Sequence, residues 1–94
     1  MVEIILAESA WNDLDSITDY IAQDSPRYAK ELSNRILSKI EQLKGFPNSG
    51  RKVPEFNNEL LRELILGNYR IVYRIFQPTK IVILRIVHGS KLLN

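Results

Sequence analysis

The chain has 94 residues, of which 45% are hydrophobic and 26% are charged, a composition typical of a soluble globular protein. We predict one domain over residues 1–94, because this length supplies one modest core. The absence of cysteine excludes disulfides, thiolate metal sites and cysteine nucleophiles. We expect a cytoplasmic protein without a membrane partner, because no apolar run approaches the ~18 residues of a membrane span and the N-terminus lacks a secretory signal.

The net charge of +2 conceals an asymmetry between the two halves of the chain. Residues 1–50 contain 5 Lys or Arg and 8 Asp or Glu, whereas residues 51–94 contain 8 and 3. A basic C-terminal half suits a polyanion or an acidic protein segment as partner. Charge complementarity between the two halves of the protein explains the asymmetry equally well.

The first half predicts a strand followed by two helices. The apolar run at residues 2–7 suits a buried strand, and Ser9 then suits the N-cap of a helix that ends near Asp24. Ser25 and Pro26 begin the second helix as N-cap and first residue, and Gly45 ends it. Each helix has one apolar stripe: Ala10, Leu14, Ile17 and Ile21 in the first, and Ala29, Leu32, Ile36, Ile40 and Leu43 in the second.

The second half predicts an irregular stretch at residues 47–59 and then three strands separated by turns at residues 67–68 and 77–80. A two-residue turn with Gly67 first pairs Leu66 with Tyr69. A four-residue loop at residues 77–80 pairs Phe76 with Ile81. The element order is β-α-α-β-β-β, which predicts an α+β fold with the N-terminal strand and a helical hairpin packed on one face of an antiparallel sheet.

These registers divide the strand residues between two faces. The helix-facing set is apolar apart from one arginine: Leu60, Arg62, Leu64, Leu66, Tyr69, Ile71, Tyr73, Ile75, Val82, Leu84 and Ile86. The opposite set mixes aliphatic and charged residues: Glu63, Ile65, Arg70, Val72, Arg74, Phe76, Ile81, Ile83, Arg85 and Val87. The second set is too apolar for bare surface and too charged for a core, so it predicts a binding face. The alternative is that Glu63 pairs with Arg70 or Arg85 across an ordinary exposed sheet.

His88 is the only histidine and therefore the only candidate for histidine acid–base chemistry. The register places it on the helix side near Tyr69, which favours a structural role, but a shift of one residue would bring it beside the arginines. No second His offers metal-ligand spacing, and the aspartates Asp13, Asp15 and Asp19 suit a helix surface. We therefore expect no metal and no cofactor.

Several motifs, each weak alone, are specific in their order and spacing and cover nearly the whole chain. They are Ala10-x-x-x-Leu14-x-x-Ile17-x-x-Tyr20-Ile21, Leu43-x-x-Phe46-Pro47-x-x-Gly50-Arg51, Arg62-Glu63-Leu64, Tyr69-Arg70-Ile71-Val72-Tyr73-Arg74 and Ile83-Leu84-Arg85-Ile86-Val87-His88-Gly89. With them the chain resembles the ParE/RelE superfamily, the toxins of type II toxin–antitoxin modules (plasmid stabilisation family). The resemblance implies a cognate antitoxin as partner, in a toxin–antitoxin hetero-oligomer.

The resemblance implies two alternative activities. ParE-like members poison DNA gyrase and are not nucleases, whereas RelE-like members are ribosome-dependent endoribonucleases that cut mRNA. We expect a ParE-like toxin, because Glu63 stands in the region of a lysine pair in RelE and the tyrosine expected beyond the last strand is missing. A third reading is a non-toxic interaction domain with a decayed site.

The resemblance also assigns candidate site residues. Arg70, His88 and Lys91 are catalytic candidates if the chain is RelE-like. The candidates for binding a target or an antitoxin are Arg62, Arg70, Arg74, Phe76, Arg85 and Lys91. We predict that Arg70→Ala or Arg74→Ala lowers toxicity without unfolding the protein, and that truncation of residues 90–94 weakens toxicity.

Overall fold

A computed structural model describes residues 2–76 and 79–93 of the chain. The elements in chain order are β1 (Glu3–Leu6), α1 (Glu8–Ala22), α2 (Pro26–Glu41), a short 3-10 helix (Gln42–Lys44), β2 (Arg51–Lys52), β3 (Leu61–Leu66), β4 (Tyr69–Phe76) and β5 (Lys80–His88). The strands form a five-stranded sheet in the order β1-β5-β4-β3-β2, and both helices pack against one of its faces. The predicted α+β architecture is confirmed.

The first strand makes the sheet mixed rather than purely antiparallel. β1 runs parallel to β5, with Ile5 opposite Val82, while the other neighbouring strands are antiparallel. The prediction of a strand at residues 2–7 is confirmed, but its burial is not, because β1 lies at the sheet edge and Ile5 is 39% exposed. β2 lies within the stretch predicted to be irregular and extends the opposite edge.

The helices begin close to their predicted positions. α2 starts as predicted, since Ser25 Oγ accepts a hydrogen bond from the Tyr28 N–H at 3.1 Å and Pro26 is the first helical residue. α1 starts two residues earlier than predicted, with Ala7 at the N-cap, and Ser9 donates its hydroxyl to the Leu84 carbonyl at 2.6 Å instead of capping the helix. Gly45 has a right-handed φ of −94°, because the 3-10 helix continues the chain after α2.

The two hairpin registers differ in how well the sequence predicts them. Leu66 lies opposite Tyr69, and Gly67 has a φ of 55°, as the two-residue turn requires. In the second hairpin Phe76 pairs with Lys80, not with the predicted Ile81, because a β-bulge inserts one extra residue into β5. Gln77 and Pro78 of the predicted loop lie outside the described residues.

Because of the bulge, the predicted faces of β5 are wrong for residues 81–84. Ile81 and Ile83 are fully buried in the helix-side core, whereas Val82 and Leu84, predicted there, are half-buried on the opposite face. A strand alternates its faces every residue, so one inserted residue moves all side chains beyond it to the other side. The helix-side core contains Ala10, Leu14, Leu32, Ile36, Ile40, Leu43, Leu64, Ile71, Tyr73, Ile75, Ile81, Ile83 and Ile86.

A smaller layer covers part of the second sheet face. Val53, Val72 and Val87 are buried outside the helix-side core. The loop after β2 and the C-terminal tail lie over this region, and the Leu93 N–H donates to Glu55 Oε2 at 3.1 Å. Among the residues that the structure describes, no helix combines the length and the apolar character needed to cross a membrane.

Candidate functional site

An ion-pair cluster of Arg51, Glu55, Glu63 and Arg70 lies beneath the loop and the tail. β3 and β4 carry Glu63 and Arg70 on the second sheet face, where their side chains are 0% and 6% exposed. Arg51 Nε, from β2, contacts Glu63 Oε2 at 2.6 Å, and Glu55, from the following loop, contacts Arg70 Nη2 at 2.6 Å. Two basic and two acidic groups therefore balance one another at this position.

Arg70 uses its whole guanidinium within the protein. Nε lies 2.7 Å from Glu63 Oε1, and Nη2 lies 2.6 Å from Glu63 Oε1 and from Glu55 Oε1. Nη1 donates to Glu55 Oε2 at 2.7 Å and to the Lys91 carbonyl at 2.9 Å. A guanidinium has five N–H groups, and four hydrogen bonds plus the Nη2–Glu63 ion-pair contact engage all three of its nitrogens.

The charges of the cluster stabilise one another. Hydrogen bonds from Arg70 outweigh partial burial and, with the Leu93 N–H, hold the pKa of Glu55 at about 2 instead of 4.5. The hydrogen bonds that Arg70 donates to Glu55, with one more to Glu63, raise the pKa of Arg70 above its ordinary value. The cluster thus remains charged and joins β2, β3, β4, the loop and the tail.

The position of Arg70 changes its predicted role. The sequence left open whether Arg70 lies on a binding face or pairs with Glu63, and the structure shows the pairing. The expectation that Arg70→Ala leaves the protein folded is not supported, because the change would leave the buried Glu63 carboxylate with Arg51 alone and Glu55 with no arginine partner. We therefore assign Arg70 a structural role in this fold.

Arg85 also has an internal partner, although not Glu63. Its Nε and Nη2 donate to the two carboxylate oxygens of Asp13 at 2.7 and 3.0 Å. Asp13 Oδ2 also accepts the Ile86 N–H at 2.9 Å, at the part of β5 that extends beyond β1. The prediction that Asp13 is only a helix-surface carboxylate is wrong. Hydrogen bonding to Asp13 raises the pKa of Arg85, whose side chain remains 40% exposed.

Arg62 supports the chain before β2. It donates to the carbonyls of Gly50 and Glu59 at 2.9 and 3.1 Å. The buried Tyr73 hydroxyl accepts the Gly50 N–H at 3.0 Å and donates to the Pro47 carbonyl at 2.9 Å, and burial raises its pKa. The motif Pro47-x-x-Gly50-Arg51 is thereby explained by packing rather than by chemistry at an exposed site.

An open face extends along the sheet from the border of the loop and the tail, where Leu61 and Leu84 share a cavity with Phe56 and Leu92. We define the open face by the following residues: Ile5, Leu61, Arg74, Phe76, Val82 and Leu84. The Arg74 guanidinium lies 4.9 Å from the ring centroid of Phe76, which is 39% exposed. Arg74 forms no ion pair within residues 2–76 and 79–93. Of the predicted binding residues, Arg74 and Phe76 lie together on this surface.

His88 and Lys91 lie at a different position, in a cavity between α1 and the end of β5. His88 is exposed, its Nδ1 lies 2.8 Å from Ser90 Oγ, and its ring meets that of Tyr69 edge-to-face at 6.0 Å. The predicted location of His88 near Tyr69 is confirmed. Among residues 2–76 and 79–93, no group of three His, Cys, Asp or Glu side chains is placed to hold a metal ion.

The sequence does not identify two residues of these sites, Glu55 and Tyr20. Glu55 lies in a polar, turn-rich stretch, where nothing distinguishes it from Glu59. Tyr20 forms part of the family motif, but only the fold shows that it lines a cavity with His88. The available signal for Asp13 was its position immediately before Leu14, at the border of the apolar stripe, where a carboxylate reaches a neighbouring strand.

Known toxins resemble this chain along nearly its whole length. The family model described as "ParE toxin of type II toxin-antitoxin system, parDE" matches residues 4–93. The chain belongs to the ParE toxin family. Within the wider ParE/RelE superfamily, the Toxin RelE2 of Caulobacter vibrioides is 28% identical over 92 residues, which cover 98% of this chain and 100% of that protein.

Two solved structures place the ParE-family chain among known folds. A chain of the chromosomal ParDE toxin–antitoxin system from P. aeruginosa has a TM-score of 0.78 and 26% identity, with 96% of this chain and 98% of that chain covered. The toxin–antitoxin complex RelBE2 from Mycobacterium tuberculosis has a TM-score of 0.59 at 20% identity, covering 93% and 96%, and shows the likeness of fold. The chain is therefore a toxin of the type II class with the ParE/RelE fold.

Proposed function

We propose that this ParE-family toxin acts in the cytoplasm by poisoning DNA gyrase and is neutralised by a cognate antitoxin. The observation that carries the choice of target is the engagement of Arg70. RNA cleavage requires a group that holds the scissile phosphate, and Arg70 is the family position suited to that task. Its guanidinium already donates four hydrogen bonds, three of them to the carboxylates of Glu55 and Glu63, which would repel a phosphate.

The alternative is a RelE-like ribosome-dependent endoribonuclease. It is favoured by the similarity to a relative named Toxin RelE2 and by the exposure of His88 and Lys91, which line one cavity. These two residues supply an acid–base group and a cation. In this alternative Arg70 must leave Glu55 before it can bind a phosphate, which opposes the charge balance of the ion-pair cluster.

The antitoxin partner is proposed from the open face and from the relatives. The ParDE and RelBE2 proteins are toxin–antitoxin systems, and the latter structure is of the complex. The open face presents apolar side chains beside Arg74, with Lys80, Arg85 and Lys91 nearby or at its border. An acidic segment with apolar anchors matches this surface in both charge and polarity. Toxin and antitoxin would assemble as a hetero-oligomer.

An affinity measurement tests the proposed antitoxin surface. We expect Arg74→Glu to weaken binding of the co-expressed cognate antitoxin by at least about tenfold, because a cation becomes a like charge facing an acidic segment. Arg27→Glu is the matched control, since its side chain is 90% exposed on α2, and we expect it to bind as the wild type does. Equal affinity of both variants and the wild type would place the antitoxin elsewhere.

The order of events in cells tests the proposed target. On induction of the toxin without antitoxin, we expect incorporation of labelled thymidine to fall before incorporation of labelled methionine, because gyrase poisoning blocks replication first. Prior loss of methionine incorporation would favour the ribosome. Normal growth with folded protein at high level would favour the non-toxic reading.

A further inference from the structure

A second surface, outside the ion-pair cluster and the open face, has the shape of a ligand site. The aromatic cavity lies between α1 and the part of β5 beyond β1, and it has a volume of about 360 Å³. This volume falls within the range of small-ligand pockets, roughly 300–1,000 Å³. Its lining includes Ile17, Tyr20, Tyr69, Arg85, His88 and Lys91.

The walls of the aromatic cavity offer surfaces for stacking. Tyr20 on α1 is 75% exposed and lines the cavity. Across the cavity, the Tyr69 and His88 rings meet edge-to-face at 6.0 Å. Ile17, Ile86 and Val87 form the aliphatic part of the lining. Rings that face a cavity in this way suit a planar ligand such as a nucleobase.

The rim of the same cavity is basic. Lys91 is exposed and forms no ion pair among the side chains that the structure describes. The one carboxylate in the lining, Asp13, is neutralised by its two hydrogen bonds from Arg85. The cavity therefore has a net positive rim beside its aromatic walls, a combination suited to a base with its phosphate.

We infer that the aromatic cavity binds a nucleotide, with the base against Tyr20 and Tyr69 and the phosphate at Lys91. The ligand is either a free nucleotide or one unit of a single-stranded nucleic acid, since both present the same base and phosphate. This binding needs no cleavage of the ligand and does not depend on gyrase as the target.

An amide chemical-shift titration of the full-length, antitoxin-free chain tests the inference. The probes are deoxyadenosine 5′-monophosphate and a short single-stranded oligodeoxyadenylate. We expect saturable shifts centred on Tyr20, Tyr69, His88 and Lys91. Tighter, more salt-sensitive binding of the oligonucleotide identifies a strand as the ligand, and equal affinities identify a free nucleotide.

Matched variants distinguish stacking from a general loss of structure. Tyr20→Ala is expected to weaken binding at least about fivefold, because stacking on an aromatic residue contributes measurably for each base. Tyr28→Ala, at an exposed tyrosine outside the cavity, is expected to bind as the wild type does. Lys91→Ala should lower the slope of log affinity for the oligonucleotide against log salt concentration by about one, which corresponds to one lost phosphate contact. Absence of saturable shifts, shifts confined to Arg74 and Phe76, or equal losses in both tyrosine variants would overturn the inference.

Discussion

At the scale of single residues, the main feature of the protein is the buried ion pair of Glu63 and Arg70. Removing one member of a buried pair costs about 3–5 kcal/mol when the remaining charge has no partner, and the lower end applies here because Arg51 still contacts Glu63. We therefore expect Arg70→Ala to lower the free energy of unfolding by about 3 kcal/mol in urea denaturation. Arg74→Ala, which removes an exposed arginine stacked on Phe76, should change it by less than about 0.5 kcal/mol. Equal costs for the two variants would contradict the structural role of Arg70.

Two glycines provide a second test at this scale. A Cβ added at Gly50 would lie 2.6 Å from the Glu63 carbonyl oxygen and from the Tyr73 hydroxyl, whereas one added at Gly45 would have no heavy atom within 4 Å. We expect Gly50→Ala to destabilise the protein by about 2 kcal/mol through overpacking, and Gly45→Ala to be neutral or slightly stabilising. Thermal unfolding of the two variants measures this, and a stable Gly50→Ala protein would refute the close approach.

At the scale of elements, the loop after β2 and the C-terminal tail are held together through Glu55. Its pKa is about 2 in the folded protein and 4.5 as its ordinary value, so the unfolded chain takes up a proton first as the pH falls. The stability contributed by Glu55 is thus present above pH 4.5 and is lost as the pH falls towards 2. We expect Glu55→Gln to lose part of the acid dependence of unfolding in urea titrations over this pH range.

Glu59→Gln is the matched control for Glu55→Gln, because Glu59 lies in the same loop and its side chain makes no ion pair within the described part of the chain. We expect this control to retain the acid dependence of the wild type. A Glu55→Gln protein with an unchanged acid dependence would show that the carboxylate does not hold the tail to Arg70.

The elements also show where sequence reasoning succeeds. The helix stripes and the Gly67 turn depend on local spacing and turn chemistry, so they were predicted correctly. The bulge in β5 depends on the pairing of that strand with β4 and β1, and the sequence of Lys80–His88 contains no local signal for it. One residue of register therefore reversed the predicted burial of Ile81 and Val82.

At the scale of the whole molecule, the opposite charges of the two halves are partly used within the fold. The pairing of Asp13 on α1 with Arg85 on β5 joins the acidic and basic halves, as one interpretation of the composition predicted. Arg51 and Arg70 find carboxylates within the basic half itself. The sequence therefore predicts an arginine-rich second face. It does not predict which of these arginines are free to bind a partner, because Glu55 pairs with Arg70 from a distant loop and has no local signal in the sequence.

The central claim is that this toxin acts on gyrase, and purified components test it most directly. Antitoxin-free protein is incubated with gyrase and supercoiled DNA, and in parallel with ribosomes programmed with mRNA, and DNA cleavage complexes and mRNA fragments are quantified. The account predicts accumulation of gyrase cleavage complexes with intact mRNA. Cleaved mRNA with unaffected gyrase would contradict it, and would require Arg70 to leave Glu55 and act with His88 and Lys91.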